Sequence, residues 1–341
     1  MGVQPRLASD LLRGDDAEPE EFAAVVAAVL RRTVPHDGWV LVGLDPATRL
    51  RTFQFCRNGT DGTAELARLE AAVPDVNKYA DLARAAVPAG WLGAGHPLAG
   101  TSVRLNEILI PQGVGSELRL VLRDRDAVWG AIVLYRDAGT SFGERDVARL
   151  LTIAPELTEA FRRHPVRTLR GAPGPAPTGV VLLAPDDRLV AVSPEAQAWL
   201  DDLVPGHGDE TGPNDVTRVL YDAAQVVRAG GPDSVRAAVR TISGRWLEVS
   251  GHALPGGEAD VAVVLQPAGV PLLLDAVAAG HRLTPREHRV LVLAARGLTS
   301  RSIARELDIS PWTVNDHLSS IYRKCGVRGR DELLGGLVAS S

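Results

Sequence analysis

The sequence predicts a multidomain chain in which two α+β modules precede a small all-α domain of four helices. Three observations carry this. At 341 residues the chain is longer than one hydrophobic core usually supports. A Pro/Gly-rich break at Arg170 to Gly179, RGAPGPAPTG, can hold neither a helix nor a central strand. From Leu283 onward a helical periodicity with cap residues replaces the mixed strand and helix patterns before it. The expected organisation is a tail at 1–18, a first module at 19–165, a linker at 166–178, a second module at 179–268, a connecting helix at 269–281 and the all-α domain at 282–341.

Composition narrows the function class. With 45% hydrophobic and 23% charged residues the chain reads as globular, so disorder is expected only in tails and linkers. The start of the sequence shows no basic segment followed by an apolar run, and no stretch approaches 18 uninterrupted apolar residues, so a cytoplasmic protein is expected. Cys56 and Cys325 lack both disulfide-framework and metal-ligand spacing. From His281 onward 10 basic and 6 acidic residues give a net +4, against −9 for everything before it. A small basic segment therefore follows an acidic body, a distribution that suits contact with a polyanion at one end only.

The first module opens with an amphipathic helical pattern, Phe22, Val25, Val26, Val29 and Leu30, and closes with another after Phe142. Between them GWVLVGL, TFQFC, SELRLVLRD and AVWGAIVLYRD read as strands, the last two joined by a turn at Asp124 to Asp126. The Gly-rich stretch Ala89 to Gly100 has no strand before it and no helix after it, so it reads as a loop and not as a phosphate cradle. The segments VNKYADLAR, Val76 to Arg84, and LRLVLRDRDAVWGAIVLYRD, Leu118 to Asp137, resemble the helix and closing hairpin of GAF-like domains in actinobacterial regulators.

The second module opens with an apolar strand, an Asp-rich turn, a second strand and a helix capped by Ser193 and started by Pro194. This opening resembles that of a PAS domain. VRTISGRWLEVSGHAL and DVAVVLQP supply its remaining strands. Asp186 and Asp187 sit where a hairpin turn favours such residues, which accounts for them without an acidic phospho-receiver pocket. No P-loop, nucleophile elbow, HExxH or CxxC pattern occurs, so neither catalysis nor a cofactor is expected.

In the C-terminal domain Thr284, Pro285 and Glu287 make a capping box and Gly297 ends the first helix. Ser300 to Asp308 form a short second helix burying Ile303, Ala304 and Leu307. The third starts at the cap Ser310 and Pro311, and Val314, Leu318, Ile321 and Cys325 form one apolar stripe. RDELLGGLVA completes the set.

This pattern, LTPRE…VLVLAARGLTSRSIARELDISPWTV…H…IYRKCGVRGRDELL, resembles a LuxR-type helix-turn-helix over nearly all of 282–341. The resemblance implies that Glu287, Leu291 and Gly297 are framework residues and that Thr313, Val314 and His317 mark the recognition helix. It also implies base reading by Asn315, Asp316 and Ser319, which share the face opposite the apolar stripe. Thr299, Ser300, Arg301, Thr313 and Lys324 are then expected on the DNA backbone. Leu333, Leu334, Leu337 and Val338 are expected to form a dimer surface. The implied function is a sequence-specific transcription regulator acting as a homodimer on promoter DNA, with RNA polymerase and a small-molecule effector as further partners. The alternative is a ligand-sensing interaction scaffold whose DNA module is weak, given Asp316 and the modest +4.

Overall fold

The computed structural model describes residues 19–60, 63–125, 127–164, 177–203, 218–230, 234–241, 243 and 245–338. The expected tail and most of the expected linker lie outside this set.

In the first module, helix α1 (Pro19–Thr33) precedes strands β1 (Gly38–Leu44) and β2 (Arg51–Arg57), helices α2 (Thr63–Ala72) and α3 (Tyr79–Arg84), and strands β3 (Ala89–Gly93), β4 (Val114–Asp124) and β5 (Ala127–Asp137). Helices α4 (Glu144–Leu151) and α5 (Ala154–Arg163) follow. The strands form one antiparallel sheet in the order β2-β1-β5-β4-β3. On one face, Phe22, Val26, Val29 and Leu30 of α1 pack with Leu118, Leu120 and Leu122 of β4 and with Leu157 and Phe161 of α5. The helical pattern after Phe142 forms two helices, and Pro155 at the start of α5 marks the break, since it has no N–H to continue α4. Val76 to Arg84 is helical only from Tyr79. Ala89–Gly93, expected to be loop, is an edge strand on β4. A Cβ at Gly90 would meet Asn77 Oδ1 at 2.4 Å, so a larger residue there would displace the side chain that donates to the Trp91 carbonyl at 2.9 Å.

The second module comprises β6 (Gly179–Leu183), β7 (Leu189–Val192), α6 (Pro194–Leu203), α7 (Arg218–Arg228), β8 (Ser234–Arg240), β9 (Trp246–Ala253) and β10 (Val261–Pro267). Its sheet order, β7-β6-β10-β9-β8, repeats the first sheet's order strand for strand. Trp199 and Leu200 of α6 and Val219 and Leu220 of α7 fill its core with alternate residues of β9 and β10. Asp187 sits in the β6–β7 turn at φ 67° and pairs with Arg228, which also holds Asp260 at 2.8 Å, so the turn residue has a structural partner.

Helix α8 (Val270–Gly280) carries the chain into α9 (Pro285–Ala295), α10 (Ser300–Leu307), α11 (Pro311–Cys325) and α12 (Arg330–Val338). Leu273, Leu274 and Val277 of α8 pack with Ala238 and Trp246 of the second module and with the interior of the α9–α12 bundle, so these share one core. The first module reaches the same junction through Arg162, which donates to the Gly280 carbonyl, and through Asp124, 2.5 Å from Arg282. No helix among the described residues is long and apolar enough to cross a membrane.

Candidate nucleic-acid interface

Three helices of the C-terminal domain, α9, α10 and α11, are each fixed at the start by a local cap. Thr284 Oγ1 accepts the Glu287 amide at 3.2 Å while Glu287 Oε2 accepts the Thr284 amide at 2.6 Å. Thr299 Oγ1 accepts from the Ser302 amide at 3.3 Å, and Ser310 Oγ from the Thr313 amide at 3.0 Å. At the far ends, Asp308 (φ 52°) and Gly326 (φ 71°) turn the chain out of α10 and α11 in the left-handed region. Arg286 donates to the Leu307 carbonyl at 2.7 Å, bracing α9 against α10. Arg330 donates to the Ala294 carbonyl and, at 2.9 Å, to that of Leu298, bracing α12 against the end of α9 and the turn after it.

These braces set the pose of α11. Val314, Leu318 and Ile321 are buried, and Cys325 packs at the edge of the same core. The opposite face presents Asn315, Asp316, Ser319 and Arg323 as exposed residues. Ser300 at the start of α10 donates to Asn315 Oδ1 at 2.9 Å, so one expected backbone contact and one expected base reader are joined. Ser319 Oγ donates to the Asn315 carbonyl at 2.9 Å. Thr299 and Arg301 are exposed beside this face, and Thr313 is half-buried with its hydroxyl 2.8 Å from that of Ser310. The structure thus brings Asn315, Asp316, Ser319, Thr299, Ser300, Arg301 and Thr313 to one surface.

Two expectations fail. Lys324 turns inward: its Nζ lies 2.6 Å from Glu287 Oε2 and donates to the Arg282 carbonyl at 3.3 Å. Glu287 is 94% buried, and the Lys324 ammonium supplies the counter-charge to its carboxylate, which is why the lysine is turned inward. Burial works against ionisation of Glu287, but hydrogen bonds from Lys324, Thr284 and Ser320 prevail and bring its carboxyl down to about 2. Leu333, expected on a dimer surface, is 2% exposed because it completes the core shared by α8 to α12. The side chains of Leu334, Leu337 and Val338 lie outside the described residues.

One residue of this surface escaped the sequence reading. Trp312, in the first turn of α11, is 73% exposed, the most exposed large apolar side chain among the described residues. Its signal was available: it stands two positions before Val314, about 200° around the helix from the buried stripe.

Comparison with known proteins agrees with this geometry. Residues 281–335 match the model for bacterial regulatory proteins of the luxR family. The spore germination protein GerE of Bacillus subtilis is 44% identical over 50 residues, 15% of this chain and 68% of GerE. The nitrate/nitrite response regulator NarL of Escherichia coli is 35% identical over 89 residues, 24% of this chain and 39% of NarL. A putative HTH-type transcriptional regulator of Mycobacterium bovis is 42% identical over 52 residues, 15% of this chain, and the chain spans only 6% of that relative's length. With its capped helices, outward-facing α11 and two-thirds coverage of GerE, the chain belongs to the luxR family of bacterial regulatory proteins.

Proposed function

We propose that this protein is a sequence-specific DNA-binding transcription regulator whose first two modules, GAF-like and PAS-like, sense a signal and set the pose of the C-terminal helix-turn-helix. The observation that carries the reading is the two-sidedness of α11: Val314, Leu318 and Ile321 are committed to the core while Asn315, Asp316 and Ser319 stand exposed together. In the major groove Asp316 would accept from a cytosine N4 amine, and Asn315 would read a purine edge with its N–H donors while Ser300 holds its oxygen. Thr299, Ser300, Arg301 and Thr313 would position the domain on phosphates. Trp312 would lay its ring against a thymine methyl or a sugar.

The sensing role is supported by the shared strand order of the two sheets and by their junction with α8, through which a change in either module reaches the DNA-binding bundle. A homodimer on DNA, paired through α12 at Leu334, Leu337 and Val338, belongs to the same proposal, as do promoter DNA, RNA polymerase and an effector as partners. Selection of binding sites from randomised DNA with the full chain tests it. A recurring two-fold or half-site sequence supports the reading, and a bound pool no different from the input overturns it.

A further inference from the structure

The short joint between α8 and α9 is held from two sides. On one side it meets the last turn of α11: His281 Nδ1 lies 3.1 Å from the Lys324 carbonyl, and Lys324 Nζ donates to the Arg282 carbonyl at 3.3 Å. On the other side it meets the first module. Arg282 Nη2 lies 2.5 Å from Asp124 Oδ2 at the end of β4 and 3.4 Å from Glu159 Oε2 of α5. Arg162, also on α5, pairs with the same Glu159 and donates to the Gly280 carbonyl, the last of α8. The backbone at Arg282 is left-handed, with φ 52°, just past the cap residue His281. Glycine is the usual residue at such a place because it avoids the crowding of a Cβ. A glycine would meet the needs of the backbone; an arginine also reaches Asp124 and Glu159.

This junction differs in kind from the other two. The first and second modules meet through an apolar seam in which Leu50 packs with Ala223, Val235 and Ala237, all buried. The second module meets α8 through Ala238 and Trp246, which pack with Leu273, Leu274 and Val277. Among the described residues, the core of α8 to α12 takes in none from the first module. What joins the first module to the joint is polar, and the Arg282 and Asp124 side chains are 55% and 37% exposed. Separating the apolar seams would return buried surface to water, whereas an ion pair this exposed contributes little and is screened by salt. Of the three junctions this one opens at the least cost.

We propose that Arg282, with Asp124 and Glu159, is a latch through which the first module acts directly on the DNA-binding domain, without passing through the second module. Closed, the latch fixes the α8–α9 joint and, through the contacts of Lys324, the last turn of α11. Open, it frees Arg282 to leave the left-handed conformation, and Lys324 loses its carbonyl acceptor. The inference rests on the sensor reading of the first module and adds the route by which that module would be felt at α11.

Amide hydrogen exchange of the full chain, followed by mass spectrometry in the absence of DNA, tests the latch. The Arg282 and Leu283 amides donate to the Ala279 and Ala278 carbonyls and so report on the joint. Asp124→Arg, 158 positions away from Arg282, is expected to speed exchange in peptides covering 278–284 and 320–327 by about two- to fivefold, the range an exposed ion pair supplies. The charge swap, Asp124→Arg with Arg282→Asp, is expected to restore the wild-type rates, which a merely loosened β4–β5 hairpin would not do. Equal exchange in wild type and Asp124→Arg, or a gain that the swap fails to reverse, overturns the latch. Because the measurement contains no DNA, its failure leaves base reading by α11 standing, and a failed binding-site selection leaves the latch standing.

Discussion

Lys324 Nζ and Glu287 Oε2 stand 2.6 Å apart, and this contact joins the last turn of α11 to the capping box that starts α9. The lysine therefore belongs to the frame that aims α11. Lys324→Ala is expected to lower the stability of the domain by about 2–4 kcal/mol, because it leaves a buried carboxylate without its counter-charge. The slope of DNA affinity against salt should stay unchanged, since no phosphate contact is lost. Thermal denaturation and binding across a salt series read the two effects separately; a slope reduced by about one with stability intact would place Lys324 on the DNA.

The same carboxylate makes a pH prediction. Its pKa falls from 4.5 in the unfolded chain to about 2 in the folded one, so its contribution is fully present above about pH 4.5. That contribution is lost as pH drops from 4.5 towards 2, where the folded protein must take up the proton. Glu287→Gln should flatten the acid limb of the stability profile in this window, measured by denaturant titration at successive pH values.

Trp312 gives the cleanest separation of binding from folding. At 73% exposure it contributes little to the core, so Trp312→Ala should shift stability by no more than about 0.5 kcal/mol. Affinity for a selected DNA site should drop by about 1 kcal/mol, through loss of an apolar contact in the groove. Fluorescence anisotropy of labelled DNA against the full chain measures this; unchanged affinity would remove Trp312 from the interface.

Cys325 is predicted to be inert. Burial, aided by the Glu287 charge, pushes its thiol up to about 12, so almost none is thiolate near neutrality. Alkylation by iodoacetamide at pH 8 should be slow in the native protein and fast after denaturation, followed by mass spectrometry of the peptide. Rapid native labelling would show that α11 and α12 open around it.

What was legible in the sequence was mostly local. Caps such as Thr284 with Glu287 and Ser310 with Thr313 act within one turn, and the stripe of Val314, Leu318 and Ile321 repeats at the helical period, so composition and spacing alone give α9 and α11. The hairpin of β4 and β5 was legible for the same reason. Lys324 was misread because its partner lies 37 positions away, and a half-buried lysine looks like a surface one until the fold brings Glu287 under it. Leu333 failed similarly: an apolar residue on a terminal helix serves a core or a partner equally well in sequence, and only the packing of α8 beneath it decides. Helix α7 was not anticipated, and Asp222, which it carries against the first sheet, acquires meaning only through Arg51 in the other module.

The central claim is that the exposed face of α11 reads bases, and Asp316 tests it most directly. Binding-site selection from randomised DNA, run in parallel on the full-length wild type and Asp316→Ala, should return a site for the wild type whose preference at one base pair per half-site is lost in the variant. The expected loss of discrimination there is about 1–3 kcal/mol, while affinity for non-specific DNA holds or rises as a negative charge leaves the surface. An identical preferred site for the two proteins would contradict base reading by this face.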